Sequence, residues 1–480
     1  MDETTRLSEA AARAEAEATY GQVDLGHGAR TTRLVQMMAG LAQRPAGRVT
    51  QVFTQDAQRQ GAFGFLESRR VREEDVAQAV SLTAAERVLG LEAVVVPMDQ
   101  SSLHLGGAHG CPRGLGPIGK QQGVGGAAQG LQVMTGLALR EDGTPLGVLA
   151  QDYWAREASG RRRHSTHDAR PFESRESAHW LLVLEACLCA LAAAGFTGDV
   201  RMQVDRGGDG WRLLSWMAAS AHLVHVTVRA AQNRRLADGG KLFARLQRAP
   251  VLGQRTLQLP RRGPFHPARW ARLQLRACPV RLLLRDRVSA RTQTACLWAL
   301  EAREVGRCPR GARRLHWRLL SNSPVHTFEQ AARLLDDYTL RWRVEDFHKT
   351  WKSVCRVEDS ELRSRPALEK WARLLAANAM RIERLKHLAR TEPQADATRE
   401  LAQDEVDTLL LLHRPDAYRQ GARTLRMDEA VELIARMGGY TGKSSGGPPG
   451  SITLARGLER LDANVETYRA MQQLKNLTNA

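Results

Sequence analysis

Four residues in the last third of this 480-residue chain have the types and the spacing to work on a phosphodiester. Tyr338, Arg341, Glu345 and Lys352 stand at offsets of three, seven and fourteen residues. At about 100° per residue they fall within about 60° of one another, on one stripe of a helix. Leu340, Val344, Phe347 and Trp351 form a second stripe, apolar and roughly opposite. The helix would bury that face and offer a phenol, two cations and a carboxylate on the other. A carboxylate flanked by cations suits a bound metal ion beside a phosphate backbone. Periodicity alone also allows a solvated amphipathic helix with an i, i+4 Arg-Glu pair.

Two further acids follow strand-like runs. Asp99 comes directly after the β-branched segment Leu91 to Met98, and Asp205 directly after Val200 to Val204. Open α/β sheets bind ligands beyond the carboxyl ends of their strands, which suits both. Three gathered carboxylates repel one another unless a hard cation neutralises them, so the trio calls for Mg²⁺ or Mn²⁺. Two such ions about 4 Å apart activate the attacking oxygen and stabilise the leaving oxygen of a phosphodiester. Each acid taken singly reads equally well as a cap or turn residue.

A competing motif is Gly114-Leu115-Gly116-Pro117-Ile118-Gly119-Lys120-Gln121, one residue short of a phosphate-binding P-loop. Gln121 stands where Mg²⁺ needs a hydroxyl, and no good helix follows, so no nucleotide cofactor is expected. The seven cysteines form no C-x-x-C pair and are odd in number, which indicates neither a zinc site nor a disulfide framework. A reducing cytoplasm fits them.

Seventy Lys and Arg against 52 Asp and Glu leave a net charge of +18, with a pI near 10.3. That excess favours a polyanionic partner, nucleic acid first. It is dispersed along the chain, with clusters such as Arg161-Arg162-Arg163, Arg234-Arg235, Arg261-Arg262 and Arg313-Arg314. The longest apolar run, Trp180 to Phe196, contains Glu185 and reads as a buried helix, so no membrane partner is expected. Residues 1–20 are acidic and alanine-rich, unlike a signal peptide.

The patterns divide the chain in three. Residues 1–85 read as helical, with Arg30, Arg33 and Arg44 between periodic segments as a small DNA-reading module. Residues 86–375 alternate strands and helices, with a hairpin at Val133 to Leu139 and Leu146 to Trp154 and a helix at Ala178 to Ala194. Within them, residues 221–320 read as an antiparallel β insertion with strands at His222 to Arg229, Lys241 to Arg248, Leu273 to Leu284, Thr292 to Leu300 and Arg313 to Leu320. Thr327 and Gln330 form a capping box that opens the helix leading to Tyr338. Residues 376–480 are helical and charged, interrupted by a Gly/Ser/Pro linker at Gly442 to Ser451.

In that context the Y-x2-R-x3-E-x6-K spacing resembles the signature of the DDE transposases of the IS-four group, bacterial cut-and-paste elements. The resemblance extends along the chain. Arg30-x-x-Arg33-Leu34-Val35 and Gly61 to Leu66 are similar to the family's N-terminal DNA-binding module, Asp99-Gln100-Ser101-Ser102-Leu103 to its first catalytic motif, and Val204 to Asp209 to its second. Trp317-Arg318-Leu319-Leu320 is similar to the segment before the signature, and Ala435 to Tyr440 to the C-terminal helical domain.

The resemblance implies an α/β fold, a ribonuclease H-like catalytic core with an antiparallel β insertion, flanked by helical N- and C-terminal domains. Asp99, Asp205 and Glu345 would be the divalent-metal ligands. Tyr338 and Arg341 would hold a phosphate, Lys352, Arg206, Arg30 and Arg33 would contact DNA, and Trp317 would stack on an extruded base. Gly207 departs from the acidic residue usual there, and Gln100 from the usual hydroxyl residue. The implied protein is a cytoplasmic, nucleoid-associated enzyme acting as a homodimer on double-stranded DNA. An inactive descendant that only binds DNA ends is the alternative, and a stand-alone two-metal nuclease a third reading.

Overall fold

The computed structural model describes residues 16–106, 112–120, 127–157, 172, 175–220, 224–259, 268–286, 291–442 and 447–478. Arg161 to Arg163, Arg261-Arg262 and Gln121 lie outside them. One sheet runs through the molecule in the order β2-β3-β1-β5-β6-β10-β9-β8-β7, with β4 paired to β3. Its first part is β1 (Ala93–His104), β2 (Gly116–Lys120), β3 (Ala127–Leu139), β4 (Pro145–Trp154), β5 (Asp199–Val204) and β6 (His225–Arg229). The rest is β7 (Val251–Leu259), β8 (Arg269–Arg285), β9 (Thr292–Val305) and β10 (His316–Ser321). β1, β5 and β6 are parallel neighbours, and antiparallel strands extend the sheet on either side.

The valine run of β1 makes sense as a strand buried on both faces. Val95 enters one core, while Val94, Val96 and Met98 enter the other. The second of these is closed by α5 (Ala178–Ala193), α6 (Trp211–Ala219) and α7 (Leu242–Arg248). The face under Val95 is covered by α9 (Trp342–Ser353) and α10 (Arg365–Thr391), and the face under β8 by α8 (Phe328–Thr339). The capping box expected at Thr327 is present: Gln330 N donates to Thr327 Oγ1 at 3.3 Å, and the Gln330 side chain accepts from the Thr327 N–H at 3.2 Å.

Several expectations need correction. Asp99 does not end its strand, because β1 continues to His104 by pairing with β3 alone. The expected strand at Lys241 to Arg248 is the helix α7. Leu242 and Leu246 are both buried, a helical i, i+4 pair, while β7 follows where no strand was expected. The near P-loop is the edge strand β2, paired with β3, so it offers no helix N-terminus to a phosphate. The β insertion is present as expected, and it joins the core sheet where β6 and β10 pair side by side.

The N-terminal helices are α1 (Gly28–Gln43), α2 (Val49–Val52), α3 (Asp56–Glu67) and α4 (Glu73–Glu86). They dock on α10, where the buried Lys370 donates to the carbonyls of Ser68 and Val71, and Trp371 to that of Gly47. The chain ends in α11 (Gln403–His413), α12 (Pro415–Arg419), α13 (Met427–Met437) and α14 (Ser451–Thr478). α13 and α14 cross at two glycines. A Cβ on Gly457 would lie 1.8 Å from the Ile434 carbonyl oxygen, and one on Gly438 1.9 Å from that of Thr453. Gly457→Ala should therefore destabilise the C-terminal helices by roughly 1–3 kcal/mol. A thermal midpoint equal to wild type would show that the two helices can part at no cost.

Candidate active site

The parallel pairing of β1 with β5 ends at Met98 opposite Val204. Asp99 and Asp205 are thus the next residues on two adjoining parallel strands, which stand about 4.8 Å apart. Beyond that point β1 stays with β3, whereas β5 turns away into a single 3-10 turn, Arg206–Gly208. The strands part where the two carboxylates stand. Asp99 shares the face of Val95, beneath α9, by simple alternation.

The expected single helix is broken at Leu340. Tyr338 lies in the last turn of α8, Arg341 is the N-cap of α9, and Glu345 lies in the first turn of α9. The side Tyr338 and Arg341 occupy is not solvent. Tyr338 is 4% exposed and Arg341 6% exposed. Arg341 spans all three acids: Nη1 donates to Asp99 Oδ2 at 2.9 Å, Nη2 to Glu345 Oε1 at 2.6 Å, and Nε lies 3.9 Å from Asp205 Oδ1. The structure therefore brings Asp99, Asp205, Glu345, Arg341 and Tyr338 into one site.

Burial pushes the Asp99 carboxyl up to about 6, against the pull of Arg341 and the N–H of Gln100, and Asp205 and Glu345 add to the rise. Burial also pushes the Tyr338 phenol up to about 12. Arg341 is raised despite its burial, by Tyr338 and by the acids around it. The Tyr338 hydroxyl and Arg341 Nε are buried without a hydrogen-bond partner.

The other expected residues are placed differently. Lys352 lies along the β1 extension, where Nζ donates to the Ser102 carbonyl at 2.5 Å and stands 3.7 Å from Glu358. Arg206 is exposed beside Asp205. Arg30 and Arg33 sit in the N-terminal helices. Arg30 donates to the carbonyls of Leu25 and Arg70, and Arg33 lies across Gly61, where a Cβ would be 2.3 Å from its Cζ. Trp317 is 5% exposed, its ring edge-on to Tyr338 at 5.7 Å and to Trp342 at 5.6 Å. In place of an open stacking platform, it forms part of the wall behind Tyr338.

Two residues escaped the sequence reading. Asp209 is buried and accepts from the backbone N–H groups of Ala231 and Gln232 at 2.8 and 2.9 Å, with Arg234 on its other oxygen. It ties the loop after β6 to the turn after Asp205. The Gly207-Gly208 pair before it was the available signal, since a Cβ on Gly207 would press on Trp180 at 3.0 Å and one on Gly208 on Val204 at 2.3 Å. The absence of an acid at Gly207 thus has a local cause. Arg229, at the end of β6, is the second; its charge acts on the Tyr338 phenol. An arginine ending an alternating strand gave no sequence signal.

Known proteins bear on this site. Three family descriptions match in chain order: "Transposase DNA-binding" over residues 12–71, "Transposase DDE domain" over 217–380 and "Transposase Tn5 dimerisation domain" over 377–476. The chain thus carries DNA-binding, DDE and dimerisation domains of transposase type, in that order. The DDE match includes Glu345 but neither Asp99 nor Asp205, which geometry alone brings to it. Among solved structures, the cryo-EM structure of a piggyBac transposase synaptic complex with hairpin DNA aligns over 78% of this chain and 57% of that one. It shares 11% identity at a TM-score of 0.31, too loose to bear on the site.

Among the described residues no three His, Cys, Asp or Glu side chains stand ready-made as a metal cage. The donor set nonetheless fits a hard divalent ion. It consists of carboxylate oxygens, and the Asp99 carboxyl is raised first by burial and then by Asp205 and Glu345, in spite of a guanidinium in contact. No helix among the described residues is long and apolar enough to cross a membrane.

The raised Asp99 carboxyl has a consequence for stability. With a folded value above the ordinary one near 4, the group favours the folded state at low pH, and that advantage is lost as pH rises through about 6. In chelator, the thermal midpoint of Asp99→Asn should therefore gain on wild type between pH 4 and 6 and hold its gain above. A difference that stays flat with pH would place the Asp99 carboxyl near its ordinary value.

Proposed function

We propose that this chain is a DDE transposase of the IS-four group, which moves an element by cutting it from duplex DNA and joining it to a target. What supports the reading is the meeting of Asp99, Asp205 and Glu345 on one buried guanidinium, beside a phenol and an Nε that lack partners. Asp99, Asp205 and Glu345 would hold Mg²⁺ or Mn²⁺, two ions per site. When bound, the ions supply a nucleophile at neutral pH and stabilise charge on the leaving oxygen.

The chain's own residues set the substrate. Tyr338 hydroxyl and Arg341 Nε would donate to one non-bridging phosphate oxygen, which satisfies both orphaned groups. Asp99, Asp205 and Glu345 then share their negative charge with the metal and not with Arg341 alone. Arg206 and Lys352 would take neighbouring phosphates, and Arg30 and Arg33 would serve the N-terminal end-binding domain. Trp317 would meet an extruded base only after the layer formed with Tyr338 and Trp342 opens.

The reaction is phosphoryl transfer at each step. A water oxygen attacks phosphorus at the element's end, and the bond to the 3′ oxygen breaks to leave a 3′-hydroxyl. That hydroxyl attacks phosphorus in the opposite strand, which forms the hairpin and releases the flanking DNA on its 3′ oxygen. Water reopens the hairpin at the same bond, and the freed 3′-hydroxyl attacks a target phosphorus and expels a target 3′ oxygen. We assign residues 1–85 to DNA binding, 86–375 to catalysis and 376–480 to pairing two protomers on two ends.

A duplex carrying the element's own ends, incubated with protein and Mg²⁺ or Mn²⁺, tests this reading. Hairpin and joined products should form only with metal. Asp99→Ala, Asp205→Ala and Glu345→Ala should each lose about 10³-fold or more in cutting while still binding DNA. Binding without cutting by wild type would leave an inactive end-binding protein, and cutting without hairpin or joining would leave a nuclease. Tyr338→Phe keeps the packing against Trp317 and removes one phosphate donor, so it should slow cutting about 10- to 100-fold with the metal requirement unchanged. Unaltered rates in that variant would remove Tyr338 from the phosphate site.

A further inference from the structure

Three side chains stand in a row across the sheet. Asp99 on β1 lies opposite Thr135 on β3, and Thr135 opposite Gln151 on β4, so all three share the face beneath α9. Thr135 is fully buried. Its hydroxyl accepts from Gln151 Nε2 at 3.3 Å, and the Tyr153 hydroxyl donates to Gln151 Oε1 at 3.0 Å. The second partner of the Thr135 hydroxyl comes from above: His348 Nε2 lies 3.3 Å from Thr135 Oγ1. His348 is one turn past Glu345 on the same helix and is itself buried, beside the stacked rings of Phe347 and Trp351.

We propose that His348 is a positioning residue for the metal-binding acids. Its hydrogen bond to Thr135 fixes the height and rotation of α9 over the row that contains Asp99. Glu345 and Asp99 sit on separate elements, α9 and β1, so their spacing depends on how α9 rests on the sheet. Apolar packing is non-directional and lets a helix slide or roll, whereas a directed bond one turn from Glu345 does not. Burial, with Lys352 one turn further on, holds His348 uncharged down to about pH 3. The contact is therefore a neutral hydrogen bond throughout the working range. Neither His348 nor Thr135 reaches the cleft, so neither touches DNA or metal directly.

This inference rests on the assignment of Asp99 and Glu345 as metal ligands. The test uses full-length His348→Phe and Thr135→Val, each of which keeps most of the volume and removes the bond, with His348→Gln as rescue. Direct Mn²⁺ binding, read by the loss of the free-ion EPR signal, is measured beside end cutting, DNA affinity and thermal midpoint. His348→Phe and Thr135→Val should each weaken Mn²⁺ binding and lower kcat about 10- to 100-fold with DNA affinity kept. The double variant should be no worse than either alone, and His348→Gln should recover most of the loss. Wild-type Mn²⁺ affinity in both single variants would overturn the proposal, as would losses of cutting that merely follow the thermal midpoint. If wild type itself neither binds Mn²⁺ nor cuts, the ligand assignment fails; if wild type does both and the variants match it, this inference alone fails.

Discussion

The organising interaction of this protein is the contact of the Arg341 guanidinium with three carboxylates from three elements. A buried charge without partners costs several kcal/mol, and a buried pair is tolerated only where geometry is good on both sides. Arginine meets that demand here because its planar fork presents donors in three directions from one carbon. Asp99 arrives on β1, Asp205 after β5 and Glu345 on α9, so the guanidinium reports on the placement of all three at once. A lysine could satisfy at most part of the set. The same geometry leaves both Nε and the Tyr338 hydroxyl buried without a hydrogen-bond partner, and a phosphate oxygen has the chemistry to serve them.

The sheet makes this convergence possible by parting in one place. While β1 and β5 run side by side, their carboxyl groups cannot spread. One residue past the last pair, β5 turns into the Gly207-Gly208 turn and β1 keeps its hold on β3. Closeness requires the second glycine, since Val204 occupies the space a Gly208 side chain would need, while a side chain at Gly207 would only press on Trp180. Asp209 then fixes the far end of the turn by taking two backbone N–H groups and Arg234. The site is thus built where two parallel strands part, one continuing and one ending, and is closed by the start of a helix.

How much of this could be read from the sequence follows from which forces are local. The strands before Asp99 and Asp205, the hairpin at 133–154 and the capping box at Thr327 depend on neighbouring residues and were legible. The four-residue signature was legible as spacing, yet it spans a break between α8 and α9 that periodicity does not register, because Leu340 and Arg341 keep nearly helical backbone angles. The helix α7 was misread since a short segment with apolar residues two and four apart satisfies both periods. The burial of Trp317 was not legible at all. Its partners, Tyr338 and Trp342, lie more than 20 residues away, and alternation along β10 gives it a face without saying what covers that face.

The helical ends of the chain belong to the same physical unit as the site. Residues of α1, α3, α9, α10, α13 and α14 share one apolar core with the β1 and β3 residues around Asp99. At its centre Glu383 of α10 is 4% exposed and accepts from Thr350 of α9, from Lys386 and from Ser451 at the start of α14. Burial alone would raise its carboxyl, but Lys386 and the two hydroxyl donors hold it below the ordinary range. A carboxylate kept charged in a core needs each of those partners. Any movement of α14 that withdraws Ser451 therefore removes a ligand from the residue that also anchors α9. The segment that carries Glu345 is thus bonded, through one side chain, to the first turn of the helix that ends the matched dimerisation domain. A signal between the ends of the chain and the acids has a short covalent and hydrogen-bonded route, and it passes through α10 and not through the sheet.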